Sequence, residues 1–106
     1  ILKYKKKITK KYQKEFKNIS EITFVNQPKG CRSNYWLNVI SVSNLSLTHR
    51  DKLLTKLNKN NYECRPIWKL LHKLPMYHLS PKSKLYNSQE LEKKIITLPS
   101  GAIYGK

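Results

Sequence analysis

The sequence predicts an α+β domain in which a short sheet is covered by helices. Apolar residues between Ile1 and Ile19 recur at about every fourth position, which is the period of a helical face. The segment Tyr35–Val42 is rich in aromatic and β-branched residues and is typical of a strand. Helical spacing returns twice later in the chain. With 106 residues, the sequence is long enough for one domain with one modest core.

The first predicted helix is amphipathic and strongly basic. Its apolar face consists of Ile1, Tyr4, Ile8, Tyr12, Phe16 and Ile19. Lysines fill most other positions, and no N-capping residue precedes the helix, as at the end of a helix that began earlier. We interpret it as a surface helix packed through its apolar stripe. Binding to a membrane surface or in the manner of a calmodulin target is the alternative.

The middle of the chain predicts a turn, a strand and a second helix. Asn26–Gly30 contains Pro and Gly and indicates the turn. Apolar residues on both faces of Tyr35–Val42 predict a central strand. Thr48–Asp51 resembles a capping box in which Asp51 is a capping residue. The leucine face that follows predicts a helix that stops at Asn60–Asn61, since Asn tolerates the left-handed conformation.

The last part of the chain predicts a second strand, an irregular segment and a final helix. The strand Tyr62–Arg65 is short and ends at Pro66. Residues 72–86 include two prolines and should be mostly irregular. Asn87 or Ser88 caps a last helix that runs through Ile95 and is ended by Leu98–Gly101. The predicted order is therefore helix, strand, helix, strand, loop, helix.

Charge and cysteine content set limits on the function. Lys+Arg 22 against Asp+Glu 6 gives +16, which admits nucleic acid or an anionic surface as a partner. A lysine-rich solvated face is the simpler interpretation. Cys31 and Cys64 form no C-x-x-C pair, so we expect a reduced, cytoplasmic chain rather than a zinc or redox site. No apolar run approaches the roughly 20 residues of a membrane span, and no signal peptide is visible.

Catalytic motifs are missing from the sequence. The three histidines are separated, and no carboxylate lies at a useful spacing from them. Three glycines in all exclude a Rossmann or P-loop nucleotide site. The sequence therefore predicts binding residues without catalytic machinery.

The segment Arg65–His72 is the strongest candidate for a binding site. Pro66 favours an extended Arg65, and its guanidinium can bind two oxygens of a phosphate or carboxylate. Trp68 can stack on a ring, and His72 can titrate near neutral pH. The structural alternative makes these residues a surface arginine, a core tryptophan and a helix-end cap. Asn34–Trp36 form a second polar and aromatic cluster, which could equally be sheet edge and core.

Five stretches resemble the C-terminal part of the DegT-type sugar aminotransferases, in order and over about residues 10–100. They are Ser33–Asn38, Arg50–Leu54 with Leu57–Asn58, Arg65–Leu70, His72–Tyr77 and Leu98–Ser100. The first and third look most like the branch that serves bacillosamine, legionaminic acid and perosamine synthesis. These are pyridoxal-phosphate enzymes of fold type I that act on nucleotide-linked keto-sugars.

The resemblance implies a divided protein. Residues 1–20 would be the end of the long interdomain helix, and 21–106 the C-terminal small domain. The Schiff-base lysine and the carboxylate that pairs with the cofactor's ring nitrogen would lie in a missing N-terminal domain, since no lysine here matches the catalytic motif. Ile1 would then be a truncation point. The fragment alone should be unable to transaminate, and the lysine content exceeds what the family leads us to expect.

The resemblance also implies roles and partners. Arg65 and His72 would meet anionic or hydroxyl groups of the substrate, Trp68 would wall the sugar pocket, and Asn34 and Tyr35 would line the interdomain cleft. Glutamate is the expected amino donor, and the intact enzyme is expected to be a cytoplasmic homodimer that does not bind membranes and works in cell-surface polysaccharide biosynthesis. Two alternatives stay open: a stand-alone basic module that binds nucleic acid, and a degenerate remnant without activity.

Overall fold

Three helices and four strands form the fold in a computed structural model that describes residues 1–106. The helices are α1 (Leu2–Phe16), α2 (Leu47–Lys59) and α3 (Tyr86–Lys94). The strands are β1 (Ile22–Phe24), β2 (Asn38–Val42), β3 (Arg65–Pro66) and β4 (Ile95–Leu98). Single 3₁₀ turns occur at Leu71–Lys73, Pro75–Tyr77 and Ala102–Gly105. None of the helices is both long and apolar enough to cross a membrane.

The strands form one antiparallel sheet in the order β1-β2-β4-β3. Ile40 of β2 lies opposite Ile96 of β4, and Pro66 of β3 pairs with Ile96 from the other side. The predicted central strand is confirmed as β2, although it begins at Asn38 rather than at Tyr35. The reason is local, because Tyr35 has φ +51°, which is incompatible with an extended strand.

The two faces of the sheet have different surroundings. Ile40, Ile96 and Leu98 lie on the face that packs into the core with Leu54 of α2 and with Cys64. Tyr12 and Phe16 of α1 are among the half-buried side chains packed against this cluster. Alternation along a strand puts Val39 and Thr97 on the opposite face, which bears a groove lined by strand and loop residues alone. The fold is therefore a two-layer α+β unit with one open sheet face.

The predicted first helix is confirmed, and its apolar stripe faces the fold as expected. Ile8 is buried, whereas Ile1 is 86% exposed at the start of the helix. The helix ends at Phe16, so Ile19 lies beyond it and contributes nothing to the helical stripe. Thr9, which the hydrophobic pattern does not single out, is 1% exposed.

A buried polar junction joins α1 to the ends of β2 and β4. The backbone N–H of Asn38 donates to Ser100 Oγ at 2.7 Å, and the Thr9 hydroxyl lies 2.7 Å from Asn38 Oδ1. Lys5 Nζ donates to the carbonyl of Ser100 at 2.8 Å and lies 3.3 Å from that of Trp36. Three separate segments are thus held together by polar groups that are largely removed from water.

The predicted start of α2 is wrong by two residues. Ser46, and not Thr48, is the N-cap, since its Oγ accepts the backbone N–H of His49 at 3.2 Å. Asp51 lies in the second turn, where its carboxylate accepts hydrogen bonds from Arg50 at 2.8 and 3.0 Å. The predicted stop is confirmed, because the helix ends at Lys59 and Asn61 has φ +63°.

The C-terminal segment differs most from the prediction. Ile95–Leu98, expected to end the last helix, is β4, and this strand lies between β2 and β3. Neither Asn87 nor Ser88 caps α3, which follows Leu85 without a side-chain cap. The second strand is Arg65–Pro66 rather than Tyr62–Arg65, because only those two residues pair with β4. No pattern in the sequence predicted β1, a three-residue edge strand.

Gly105 is required by a close approach between the last 3₁₀ turn and α1. A Cβ at this position would lie 1.9 Å from the carbonyl oxygen of Tyr4, so Gly105→Ala must push the turn off the helix. We expect the free energy of unfolding to fall by about 1–3 kcal/mol, as for other overpacked sites. Urea denaturation measures this change.

Gly101→Ala is the matched control for that variant. Gly101 has φ −63°, and the nearest atom to an added Cβ belongs to the movable side chain of Tyr104, at 3.2 Å. Equal loss of stability in both variants would show that the Tyr4 contact is not what requires glycine.

Candidate functional site

A groove lies on the open face of the sheet, next to the segment that follows β3. Its volume is about 260 Å³. The strands supply Val39, Arg65, Pro66, Ile95 and Thr97, and the flanking loops supply Trp36, Leu37, Ile67 and Trp68. Two of the predicted site residues, Arg65 and Trp68, are therefore brought together here.

Two indole rings stand at the mouth of this groove. The ring centroids of Trp36 and Trp68 are 6.1 Å apart, and the planes are inclined by 46°. Trp36 is 64% exposed and Trp68 is 70% exposed, so the alternative of a core tryptophan is wrong for Trp68. Exposed aromatic side chains at this spacing are suited to bind a flat or apolar molecular face.

Arg65 is held in the extended conformation that Pro66 predicted. Its backbone pairs with β4, and its carbonyl accepts the hydroxyl of Thr97 at 3.1 Å. The guanidinium donates to Glu63 Oε1 at 3.0 Å and to Asn58 Oδ1 at 3.3 Å. Both members of the Glu63 ion pair are well exposed, and such pairs contribute little to stability. The guanidinium can thus turn toward an anion in the groove.

A second depression adjoins the groove and shares Trp36 and Arg65 with it. Its volume is about 400 Å³, and it extends past Ser100 toward Lys5 and Tyr104. Lys5 already donates to backbone carbonyls, so Arg65 is the cation that is available to a ligand here. Together the two depressions offer aromatic walls and one guanidinium, which suits a molecule that carries both a ring and an anionic group.

Asn34 and Tyr35 lie outside the groove that Arg65 and Trp68 line. Asn34 Oδ1 accepts the backbone N–H of Trp36 at 3.0 Å, so this side chain shapes the loop. Tyr35 donates its hydroxyl to Gln27 Oε1 at 3.0 Å and lines a separate pocket of about 300 Å³ with Arg32. Neither residue lines the groove of Arg65 and Trp68.

His72 lies in a third place, on the first 3₁₀ turn. It lines an open pocket of about 580 Å³ together with Tyr77, Lys82 and Ser88. Four of the five predicted site residues therefore lie in three separate depressions, and only Arg65 and Trp68 share one. Asn34 lines none of the three.

Two ionisable groups in or against the core, Cys64 and Tyr12, have raised pKa values. Burial raises the pKa of the Cys64 thiol, against a smaller lowering by Arg65, so the nucleophilic thiolate is disfavoured. Burial likewise raises the pKa of the Tyr12 phenol, which donates to the carbonyl of Pro99 at 2.9 Å. Cys31 and Cys64 are both free thiols. No group of three His, Cys, Asp or Glu side chains could hold a metal ion.

Seven of the nine groove residues were missing from the predicted set, and Trp36, Ile95 and Thr97 are among them. Trp36 was recognised only as part of an aromatic cluster, while Thr97 and Ile95 were assigned to the end of a helix. The alternation of Ile95, Thr97 and Leu98 with their neighbours is too short a signal to separate a strand from a helix end. This segment is a strand because it pairs with both β2 and β3.

The chain belongs to the DegT/DnrJ/EryC1/StrS aminotransferase family, whose model matches residues 1–103. The predicted family is therefore confirmed. The alternative of a nucleic-acid-binding module finds no support in these comparisons.

One curated relative is the GDP-perosamine synthase of Vibrio cholerae. It is 34% identical over 101 residues, which are 94% of this chain and 27% of the synthase. The chain thus spans about a quarter of the length of the relative that it matches.

Solved structures of aminotransferases have the same fold. An aminotransferase of pseudaminic acid biosynthesis from Helicobacter pylori matches with a TM-score of 0.84 at 19% identity, over 95% of this chain and 28% of that one. CalS13, a sugar aminotransferase of Micromonospora echinospora, matches with a TM-score of 0.79 at 13% identity, over 96% and 26%. At such identities the likeness shows the fold alone, and it confirms the predicted class, an α+β part of a fold-type I aminotransferase.

The indole pair gives a spectroscopic prediction. Rings about 6 Å apart interact electronically, so Trp36→Phe and Trp68→Phe should each abolish the same band in the aromatic circular dichroism spectrum. The double variant should then lose no more of that band than either single variant. Tyr62→Phe, at an exposed position outside the groove, serves as the control and should keep the band. Additive losses from the two single variants would contradict the ring contact.

Proposed function

We propose that the chain is part of a pyridoxal-phosphate-dependent aminotransferase that transfers an amino group to a nucleotide-linked keto-sugar. The family match over residues 1–103 carries this proposal. The 34% identity with a GDP-perosamine synthase supports a nucleotide-sugar substrate. Glutamate, the family's usual amino donor, is the donor that we propose.

The chain supplies binding surface, and the cofactor is held elsewhere. A Schiff-base lysine needs an enclosed site, whereas no lysine of this chain is among its 11 buried residues. The residues present therefore do not fit a cofactor site by themselves. We propose that the catalytic lysine and the cofactor contacts belong to the part of the relatives that this chain does not cover. The chain alone should then show no transamination.

Arg65 and Trp68 are the residues that we propose to contact the substrate from the groove. A guanidinium beside aromatic walls fits a sugar nucleotide, which joins anionic phosphates to flat and apolar ring faces. His72 would contact the substrate from the neighbouring 3₁₀ turn. Asn34 and Tyr35 would line the cleft toward the catalytic domain, Asn34 by holding the Trp36 loop.

The same proposal gives the domain arrangement, the oligomeric state and the cellular role of the intact enzyme. Residues 1–20 would lead in from the catalytic domain, and 21–106 would form the small domain, with α1 packed on its core. The intact enzyme would act as a homodimer in the cytoplasm, with no role at a membrane, and would serve cell-surface polysaccharide biosynthesis. A chain with 11 of 106 residues buried leaves much surface for such contacts.

A chimera tests the function directly. The matched C-terminal region of the Vibrio cholerae synthase is replaced by this chain, and the chimera is assayed with the substrates of that synthase. We expect amino transfer, and we expect Arg65→Ala to lower kcat/KM at least about tenfold, the loss typical of a charged contact to substrate. Steady-state kinetics measures the change.

Lys52→Ala is the control, because Lys52 is an exposed cation on α2 that lines none of the depressions described above. Unchanged kinetics in the Arg65→Ala chimera would remove Arg65 from the substrate site. A folded chimera that retains cofactor but transfers no amino group would argue against the proposed substrate.

A further inference from the structure

The segment Ile67–Lys84 carries Trp68 and His72 but is weakly attached to the rest of the fold. None of its residues is buried. Its backbone hydrogen bonds are local, each closing a turn of three residues. The donors are the N–H groups of Lys73, Leu74, Tyr77 and Ser80. The ring of His78 contacts the carbonyl of Pro75, which is also local.

One side-chain hydrogen bond joins this segment to a helix. Lys73 Nζ donates to Glu92 Oε2 on α3, and no other hydrogen bond or ion pair links Ile67–Lys84 to another element. The Glu92 side chain is 10% exposed, and that of Lys73 is 36% exposed. The backbone of Glu92 is itself fixed, because Arg50 Nη1 donates to its carbonyl at 2.5 Å.

We propose that Glu92 is a positioning residue that holds Trp68 and His72 in place through Lys73. This inference rests on the proposed function for its effect on substrate. The Lys73–Glu92 ion pair, called the tether below, can be tested without that function. The ion pair fastens the segment near its middle and so divides one long free loop into two short ones, each with less conformational freedom. Because Glu92 is mostly shielded from water, its attraction for Lys73 exceeds that of an exposed pair.

The tether at Lys73 is close in sequence to Trp68, which lines the groove. Lys73 follows His72 in sequence, and both lie in the same 3₁₀ turn, Leu71–Lys73. Toward the N-terminus, the next fixed point is the sheet pairing of Pro66 with Ile96. Trp68 lies between these two fixed points, so its position depends on both.

The experiment uses Glu92→Gln in the 106-residue chain and measures amide hydrogen exchange. We expect exchange of the hydrogen-bonded amides of Lys73, Leu74 and Tyr77 to rise about tenfold while β2 and β4 keep their protection, since one partner of a shielded ion pair is lost. The circular dichroism band of the indole pair should weaken as Trp68 moves. Lys73→Gln, which changes the more exposed partner and leaves α3 intact, should have the same effects.

Two further variants distinguish the positioning of Trp68 and His72 by the ion pair from a general effect on the packing of α3. Glu90→Gln breaks the exposed Lys93–Glu90 pair on the same helix and should leave residues 67–77 unchanged. The charge-swapped double variant Lys73→Glu with Glu92→Lys should restore slow exchange. In the chimera, Glu92→Gln should raise KM for the sugar substrate several-fold and leave kcat nearly unchanged.

The results of these experiments test the tether, the positioning role and the proposed function separately. Unchanged exchange in residues 67–77 would overturn the tether, and so would general loosening that the charge swap does not rescue. A KM that stays constant in an active chimera would overturn the positioning role. Faster exchange with charge-swap rescue, in a chain whose wild-type chimera is inactive, would support the tether and count against the proposed function.

Discussion

The rest of the structure depends on the hydrogen bonds that the buried Asn38 makes with Thr9 and Ser100. Its side chain is 1% exposed, and a polar group so placed must be hydrogen-bonded or it costs stability. Thr9 and Ser100 satisfy it, and no buried side-chain nitrogen or oxygen in the chain lacks a partner. Since these partners come from α1 and from the end of β4, the junction fixes where β2 begins and how the helix lies on the sheet.

The same junction sets the shape of the groove. Lys5 extends from α1 to the carbonyls of Tyr35, Trp36 and Ser100, so the loop before β2 is held at its backbone. That loop places the Trp36 indole opposite Trp68. An interaction on the covered side of the sheet therefore positions a side chain on the open side.

The two faces of the sheet differ in the side chains that they carry. The covered face carries the apolar cluster around Ile40 and Ile96, whereas the open face carries a groove with exposed aromatic rings. In a unit with so small a core, apolar surface left exposed on one face is expected where another part of a protein or a ligand binds. The family match and the quarter-length coverage of the Vibrio cholerae synthase agree with such a division.

The sequence by itself determined the family, the first helix, the central strand, the stop at Asn60–Asn61 and the extended Arg65, because each rests on local periodicity, backbone preference or motif order. Only the tertiary structure decided that Ile95–Leu98 is a strand, since its conformation depends on pairing with partners far away in sequence. Tertiary structure also separated His72 from Arg65 and brought Trp36 to Trp68. Sequence spacing contains no information on which face of a sheet a loop will cover.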